Sequence, residues 1–233
     1  MTREEYISEI LKTYSPLKCL SSKNDGKVMV LIHRTLGKKI VLRSYKTTVS
    51  AYNELCNIKC DNLPIIYDTK NLSDGQIVFE EYIDGVNISE IMETGHYKYL
   101  GAKRVLKGVC SALQVLHERN IIHRDIKPEN VMITNKGRVV LLDFNASRKE
   151  KAVEKDTVIM GTVGYASPEQ MGLAQSGKGA DIYALGVLLN VMLTGEHPSV
   201  LLAKGKAGRI VRKCTNINPS DRYKTIAHFV KEL

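Results

Sequence analysis

The sequence predicts an α+β fold in two lobes, an antiparallel β-sheet with one main helix over about residues 1–83 and a mostly α-helical remainder over about 84–233. Two observations carry this. Up to Asp84-Gly85 the apolar residues fall in short runs separated by turn signals, and beyond it they recur at helical spacing. A single hairpin pattern, Val131 to Thr134 and Val139 to Leu142 around the turn Asn135-Lys136-Gly137, interrupts the helical half.

In chain order, Thr2 to Tyr14 reads as a short amphipathic helix, and Pro16 opens the β-rich part. Leu17 to Leu20, Val28 to His33 and Lys39 to Ser44 form an antiparallel meander, divided at Asn24-Asp25-Gly26 and Leu36-Gly37. Val49 to Lys59 carries Val49, Tyr52, Leu55 and Cys56 on one helical face. Leu63 to Tyr67 and Gln76 to Tyr82 are two further strands around the polar turn Asn71 to Gly75. In the second half, Gly101 to Asn120 aligns Val105, Val109, Ala112, Leu113 and Leu116 on one helical stripe. The apolar run Ile182 to Leu193 has 12 residues and includes Asn190, so it predicts a buried helix, being far short of the ~20 residues that cross a bilayer.

Composition narrows the class without choosing a partner. Lys and Arg number 34 against 25 Asp and Glu, a formal charge of +9 that attracts nucleotides, nucleic acid or acidic peptides alike. Three Phe and eleven Tyr do not interleave with basic residues as a strand-binding sheet requires, so nucleic acid is not the expected partner. Thr2 to Lys12 mixes charged and apolar residues, which is not the pattern of a signal peptide. Five scattered cysteines predict reduced thiols and a cytoplasmic setting, and Cys56 with Cys60 lacks the histidine or second pair of a zinc site.

The chemistry is concentrated in His123-Arg124-Asp125-Ile126-Lys127-Pro128-Glu129-Asn130, followed after the hairpin by Asp143-Phe144-Asn145. This order resembles the catalytic loop and metal-binding segment of the protein kinase family, H-R-D-x-x-x-x-N and D-F-G. The resemblance implies that Asp125 orients the acceptor hydroxyl and takes its proton, that Lys127 lies against the γ-phosphate, and that Asn130 and Asp143 hold Mg²⁺. A lysine two places after the base is the pattern for Ser or Thr acceptors. Phe79-Glu80-Glu81-Tyr82-Ile83-Asp84-Gly85 resembles the strand that enters the hinge, with backbone groups of Glu81 and Ile83 toward adenine and Glu80 at the back of the pocket; a solvent-facing edge strand is the alternative. Gly161-Thr162-Val163-Gly164-Tyr165-Ala166-Ser167-Pro168-Glu169 resembles the segment that closes the activation loop, and Arg222 fits the partner of its Glu. Asp181 stands at the opening of the central C-lobe helix, where the family caps the catalytic loop. Thr157 stands where activation loops carry a phosphosite, and Thr162 belongs to the substrate platform. About 27 residues separate Gly195 from Arg222, a trimmed C-lobe.

The N-terminal motifs depart from the family. Ser21-Ser22-Lys23-Asn24-Asp25-Gly26-Lys27-Val28 retains only the last Gly and the Val of G-x-G-x-x-G-x-V. Ile40-Val41-Leu42-Arg43 has Arg where the family has Lys, with Lys38, Lys39 and Lys46 as rival cations. Ser50 or Ala51 falls where the following helix should supply a Glu, and Glu54 is the nearest carboxylate. Asn145 replaces the Gly of D-F-G. Taken together, the resemblance implies a single protein kinase domain over 1–233 with ATP and Mg²⁺ as cofactors and nucleotide contacts at Ser21, Gly26, Val28, Val41, Arg43, Glu81 and Ile83. Two functions remain open: a Ser/Thr protein kinase acting on a protein substrate, and a pseudokinase that binds nucleotide or scaffolds.

Overall fold

The computed structural model describes residues 1–23, 26–149, 164–171 and 177–233. The chain divides into two units, Met1–Cys60 with Pro64–Ile83, and Asp61–Leu63 with Asp84–Leu233.

The first unit contains α1 (Arg3–Thr13), β1 (Tyr14–Lys23), β2 (Gly26–His33), β3 (Lys39–Tyr45), α2 (Ser50–Leu55), β4 (Ile66–Leu72) and β5 (Gly75–Glu81). Its strands form one antiparallel sheet in the order β1-β2-β3-β5-β4. Helix α1 begins at a capping box in which Thr2 and Glu5 satisfy each other's amides. Its apolar side chains Tyr6, Ile7, Ile10 and Leu11 pack on Met29, Leu31, Leu42 and Ile77, one face of the sheet. Strand alternation puts the intervening residues Val28, Val30, Val41, Arg43, Val78 and Glu80 on the opposite face.

Three elements differ from the sequence reading, the first being β1, which runs over Tyr14–Lys23 and not Leu17 to Leu20 alone. Helix α2 ends at Leu55 because Cys56 turns extended and bridges Ile66, and the Asn57 N–H, at φ 62°, donates to Ile66 O at 3.0 Å. Strand β4 starts at Ile66 because Asp61–Leu63 pack with the second unit. There Arg138 donates to Asp61 O at 2.6 Å and Leu63 O at 2.9 Å, and Asn62 Nδ2 donates to Val139 O at 2.7 Å.

The second unit contains β6 (Gly85–Asn87), α3 (Ile88–Met92), α4 (Tyr99–Glu118), β7 (Ile121–Ile122), β8 (Val131–Thr134), β9 (Val139–Leu141), β10 (Arg148–Lys149), α5 (Gly179–Thr194), α6 (Gly205–Cys214) and α7 (Ile226–Glu232). A three-stranded sheet runs β6-β8-β9, and β7 pairs with β10. The apolar stripe of α4, Val105, Leu106, Val109, Ala112, Leu113 and Leu116, is fully buried. Helix α5 is buried on nearly every side and stops at Gly195, whose φ of 77° suits a glycine cap. Asn190 interrupts its apolar run for a structural reason. Its Nδ2 donates to Glu196 O and Leu201 O at 2.8 and 2.7 Å, and its Oδ1 accepts the Ala203 N–H at 2.8 Å, tying the 196–203 loop to the helix. The stretch between Gly195 and Arg222 still folds α6, an amphipathic helix that buries Ala207, Ile210, Val211 and Cys214.

Candidate active site

In the second unit the hairpin of β8 and β9 pairs Val131 with Leu141 and Met132 with Val140. The Leu142 N–H donates to Asn130 O at 2.8 Å, so Asn130 and Asp143 emerge side by side from the base of the hairpin. Asn130 follows a single 3₁₀ turn, Pro128–Asn130, that begins at the proline and returns the loop to the sheet. The Asn130 Nδ2 donates to Asp125 O at 2.8 Å and to Asp125 Oδ2 at 2.9 Å. Lys127 Nζ lies 2.9 Å from the same Oδ2. Asp125, Lys127 and Asn130 therefore form one hydrogen-bonded group, with Asp143 attached through the backbone.

Burial and tautomer fix the loop that carries Asp125. His123 is fully buried. The Asp125 N–H donates to its Nδ1 at 3.3 Å, and its Nε2 faces Leu142 O at 3.1 Å, so Nδ1 must accept and Nε2 must carry the hydrogen. Desolvation lowers the pKa of His123 from 6.5, outweighing the attraction of Asp181, Asp125 and Asp143 for a proton. Asp181, also fully buried, accepts the amides of His123 at 3.0 Å and Arg124 at 2.9 Å, and its Oδ2 lies 2.7 Å from His117 Nε2. Burial alone would raise the Asp181 carboxyl, but the hydrogen bond and charge of His117 and the Arg124 amide hold it below 3.8. Arg124 and Asp143 both take left-handed backbone, φ 71° and 65°. Such non-glycine residues cost about 1–3 kcal/mol each and persist where surrounding bonds over-determine them.

The pH dependence follows in sign. Below 6.5 the unfolded chain protonates a histidine that folded His123 leaves neutral, and below 3.8 the same holds for Asp181. Both folded values are depressed, so stability is complete above the unfolded values and falls on acidification. Urea midpoints measured between about pH 8 and pH 5 should stay level until about 6.5 and then decline; a midpoint flat across that range would contradict the neutral His123.

In the first unit, Ser21 pairs with Val28 and Val28 with Arg43 across β1, β2 and β3. Val28, Val41 and Arg43 share the sheet face opposite α1. A Cβ on Gly26 would lie 2.4 Å from Ser44 O, so a glycine is needed there for strand approach irrespective of any ligand. Asn24, Asp25, Lys155, Thr157, Gly161, Thr162 and Val163 lie outside the described residues. Glu81 ends β5, where its N–H donates to Ile65 O at 2.8 Å and its carboxylate accepts the Ile65 N–H at 3.1 Å. Ile83 is buried. Strand β5 lies inside the sheet with Glu80 1% exposed, which removes the edge-strand alternative.

Arg43 is also buried, and Glu80 grips it with two oxygens, Nε to Oε2 at 2.8 Å and Nη2 to Oε1 at 3.0 Å. Lys38, Lys39 and Lys46 are exposed. The sequence points to a helix carboxylate for this role and sets Glu80 at the back of the pocket without linking it to Arg43; the register of β3 against β5 makes that link. Asn145 is exposed and not left-handed; in this segment Asp143 takes the positive φ instead.

Residues 18–232 match the protein kinase domain family. The chain belongs to this family. Among its curated relatives, the serine/threonine-protein kinase PknB of Mycolicibacterium smegmatis is 32% identical over 185 residues, 72% of this chain and 30% of the relative. PknB of Mycobacterium tuberculosis is 33% identical over 183 residues, 72% of this chain and 29% of the relative. The serine/threonine-protein kinase PrkC of Bacillus subtilis is 33% identical over 140 residues, 59% of this chain and 22% of the relative. The chain thus spans less than a third of the length of each of these bacterial kinases.

The remaining protein kinase segments are joined by buried polar contacts. Glu169 and Arg222 form a bidentate pair at 2.6 and 2.9 Å, and Arg222 also donates to Asn216 O, Gly179 O and Ile217 O. Ser167, in place of the family's Ala, is fully buried and satisfied by Gln170 Oε1 at 3.1 Å, while Gln170 Nε2 donates to Arg124 O at 2.9 Å. Among the described residues no three His, Cys, Asp or Glu side chains gather as a metal cluster, and none of their helices is long and apolar enough to cross a membrane.

The donor set nevertheless fits a magnesium ion that arrives with phosphate ligands. Both hydrogen bonds of the Asn130 side chain use its NH₂ end, which leaves its amide oxygen to act as an acceptor. One carboxylate and one carbonyl oxygen, completed by phosphate and water, match the hard octahedral preference of Mg²⁺.

Proposed function

We propose that this chain is a single protein kinase domain, 1–233, that transfers the γ-phosphoryl group of ATP to a Ser or Thr hydroxyl of a protein. One observation carries the reading: Asp125, Lys127 and Asn130 are joined by hydrogen bonds of 2.8–2.9 Å, with Asp143 next to Asn130 at the hairpin base. Asp125 orients the acceptor hydroxyl and takes its proton as the oxygen–phosphorus bond forms and the bond to the β–γ bridging oxygen breaks. Lys127, held at Asp125, offers its ammonium to the γ-phosphate. The Asn130 oxygen and the Asp143 carboxylate would hold Mg²⁺, which would supply positive charge against the phosphates.

The nucleotide contacts belong to Ser21, Gly26, Val28, Val41 and Arg43 and, for the adenine edge, to Glu81 and Ile83. The five thiols are free, which supports a reducing, cytoplasmic setting. The pseudokinase reading rests on Arg43 and the incomplete glycine loop. A complete proton acceptor, lysine and metal pair has no purpose in a pure scaffold, and this favours the enzyme. The test is γ-labelled ATP with Mg²⁺, the full chain and a generic basic protein, followed by phosphoamino-acid analysis. Label on Ser or Thr is expected. Nucleotide binding without transfer would establish the pseudokinase, and label on Tyr alone would overturn the acceptor assignment.

A further inference from the structure

We propose that Glu80, on β5, is the positioning residue for the phosphate-contacting cation Arg43, doing from within the sheet what the following helix does elsewhere in the family. The inference rests on the proposed nucleotide site. Three observations carry it. Arg43 and Glu80 lie on one sheet face at diagonal positions, since Val41 opposes Glu80 and Arg43 opposes Val78. Glu80 engages the Nε and Nη2 side of the guanidinium with both oxygens, at 2.8 and 3.0 Å, a geometry open to Arg but not to Lys. Helix α2 presents Ser50 or Ala51 where a carboxylate is expected, and the ring of the neighbouring Tyr52 lies 5.9 Å from the Arg43 guanidinium carbon.

The exchange of Lys for Arg and the loss of the helix Glu are therefore one change rather than two. A planar fork whose Nε and Nη2 face Glu80 directs Nη1 away from that carboxylate, toward Tyr45 Oη at 3.4 Å. The guanidinium so oriented is the cation that the proposed site turns to an α- or β-phosphate oxygen. Because Arg43 and Glu80 sit on adjacent hydrogen-bonded strands, their separation is set by sheet register. Displacement of α2, which breaks the corresponding pair in helix-gated kinases, leaves this pair intact.

The test compares affinities of the full chain for MgATP and for adenosine, which lacks phosphates. Glu80→Gln and Glu80→Asp should each weaken ATP about tenfold with adenosine changed by less than about twofold. Arg43→Met should lower the same ratio, and adding Glu80→Gln to it should lower the ratio no further. Glu54→Gln, an exposed change on α2, should leave the ratio as in the parent. If removal of the buried carboxylate charge prevents folding, Glu80→Asp retains that charge and still shortens the reach to Arg43. Equal weakening of both ligands would reduce Glu80 to a purely structural residue and overturn the proposal. A ratio that falls with Glu54→Gln and not with the Glu80 variants would return the role to the helix. A parent that binds ATP no better than adenosine would instead remove the nucleotide site itself, a failure recognisable before any variant is made.

Discussion

Asp125→Asn is expected to lower the single-turnover rate of phosphoryl transfer by about 10²–10⁴-fold, the usual contribution of a positioned proton acceptor. The substitution keeps the size and an acceptor oxygen for Lys127 Nζ and Asn130 Nδ2, which now lie 2.9 Å from Asp125 Oδ2. It removes the charge that draws the hydroxyl proton. The urea midpoint should change little, because the loop is held mainly by Asp181 and His123. Asp143→Asn should lower transfer as well, but that loss should be partly recovered by raising Mg²⁺, whereas the loss in Asp125→Asn should not respond to metal. Transfer at the parental rate by Asp125→Asn would end the assignment of Asp125 as the proton acceptor.

Arg222→Met should destabilise the second unit by about 3–5 kcal/mol, because one member of a buried ion pair leaves an uncompensated charge behind. Glu169 is 4% exposed and Arg222 2% exposed, so water cannot take the place of the missing partner. The same guanidinium also serves the carbonyls of Gly179, Asn216 and Ile217 and lies 5.1 Å from the Tyr183 ring, so its loss loosens the start of α5 and the turn before α7 together. A domain stable by about 5–15 kcal/mol would lose a large share of that margin. The double variant Arg222→Met with Glu169→Leu should recover part of the loss, since both buried charges are then absent. Urea unfolding of the three proteins at neutral pH checks this, and a single variant as stable as the parent would show that the pair contributes little.

Much of the proposed transfer site was legible because its residues are close in sequence. Asp125, Lys127 and Asn130 fall within one loop, and the turn Asn135-Lys136-Gly137 with β-forming flanks is enough to predict the hairpin that returns Asp143 to Asn130. The Glu169–Arg222 pair was legible from the resemblance alone, as nothing local joins two residues 53 positions apart. The Arg43–Glu80 pair was not legible, since its 37-residue separation closes only through the register of β3 against β5. Nor was the role of His117, which meets Asp181 across 64 residues. The length of α2 was misjudged because helical spacing persists past Leu55, while pairing of Cys56 with Ile66 overrides it.

By itself, the sequence determined the order of elements, the change from sheet to helix near Asp84 and the loop to which the proposed transfer chemistry is assigned. All three depend on local periodicity, turn residues and contiguous motifs. Tertiary structure alone decided which carboxylate holds Arg43, which tautomer His123 adopts and why Gly26 must lack a side chain. Each of these depends on groups far apart in the chain whose meeting is set by strand register and burial, and a one-residue slip of β5 would turn Glu80 to the other face of the sheet.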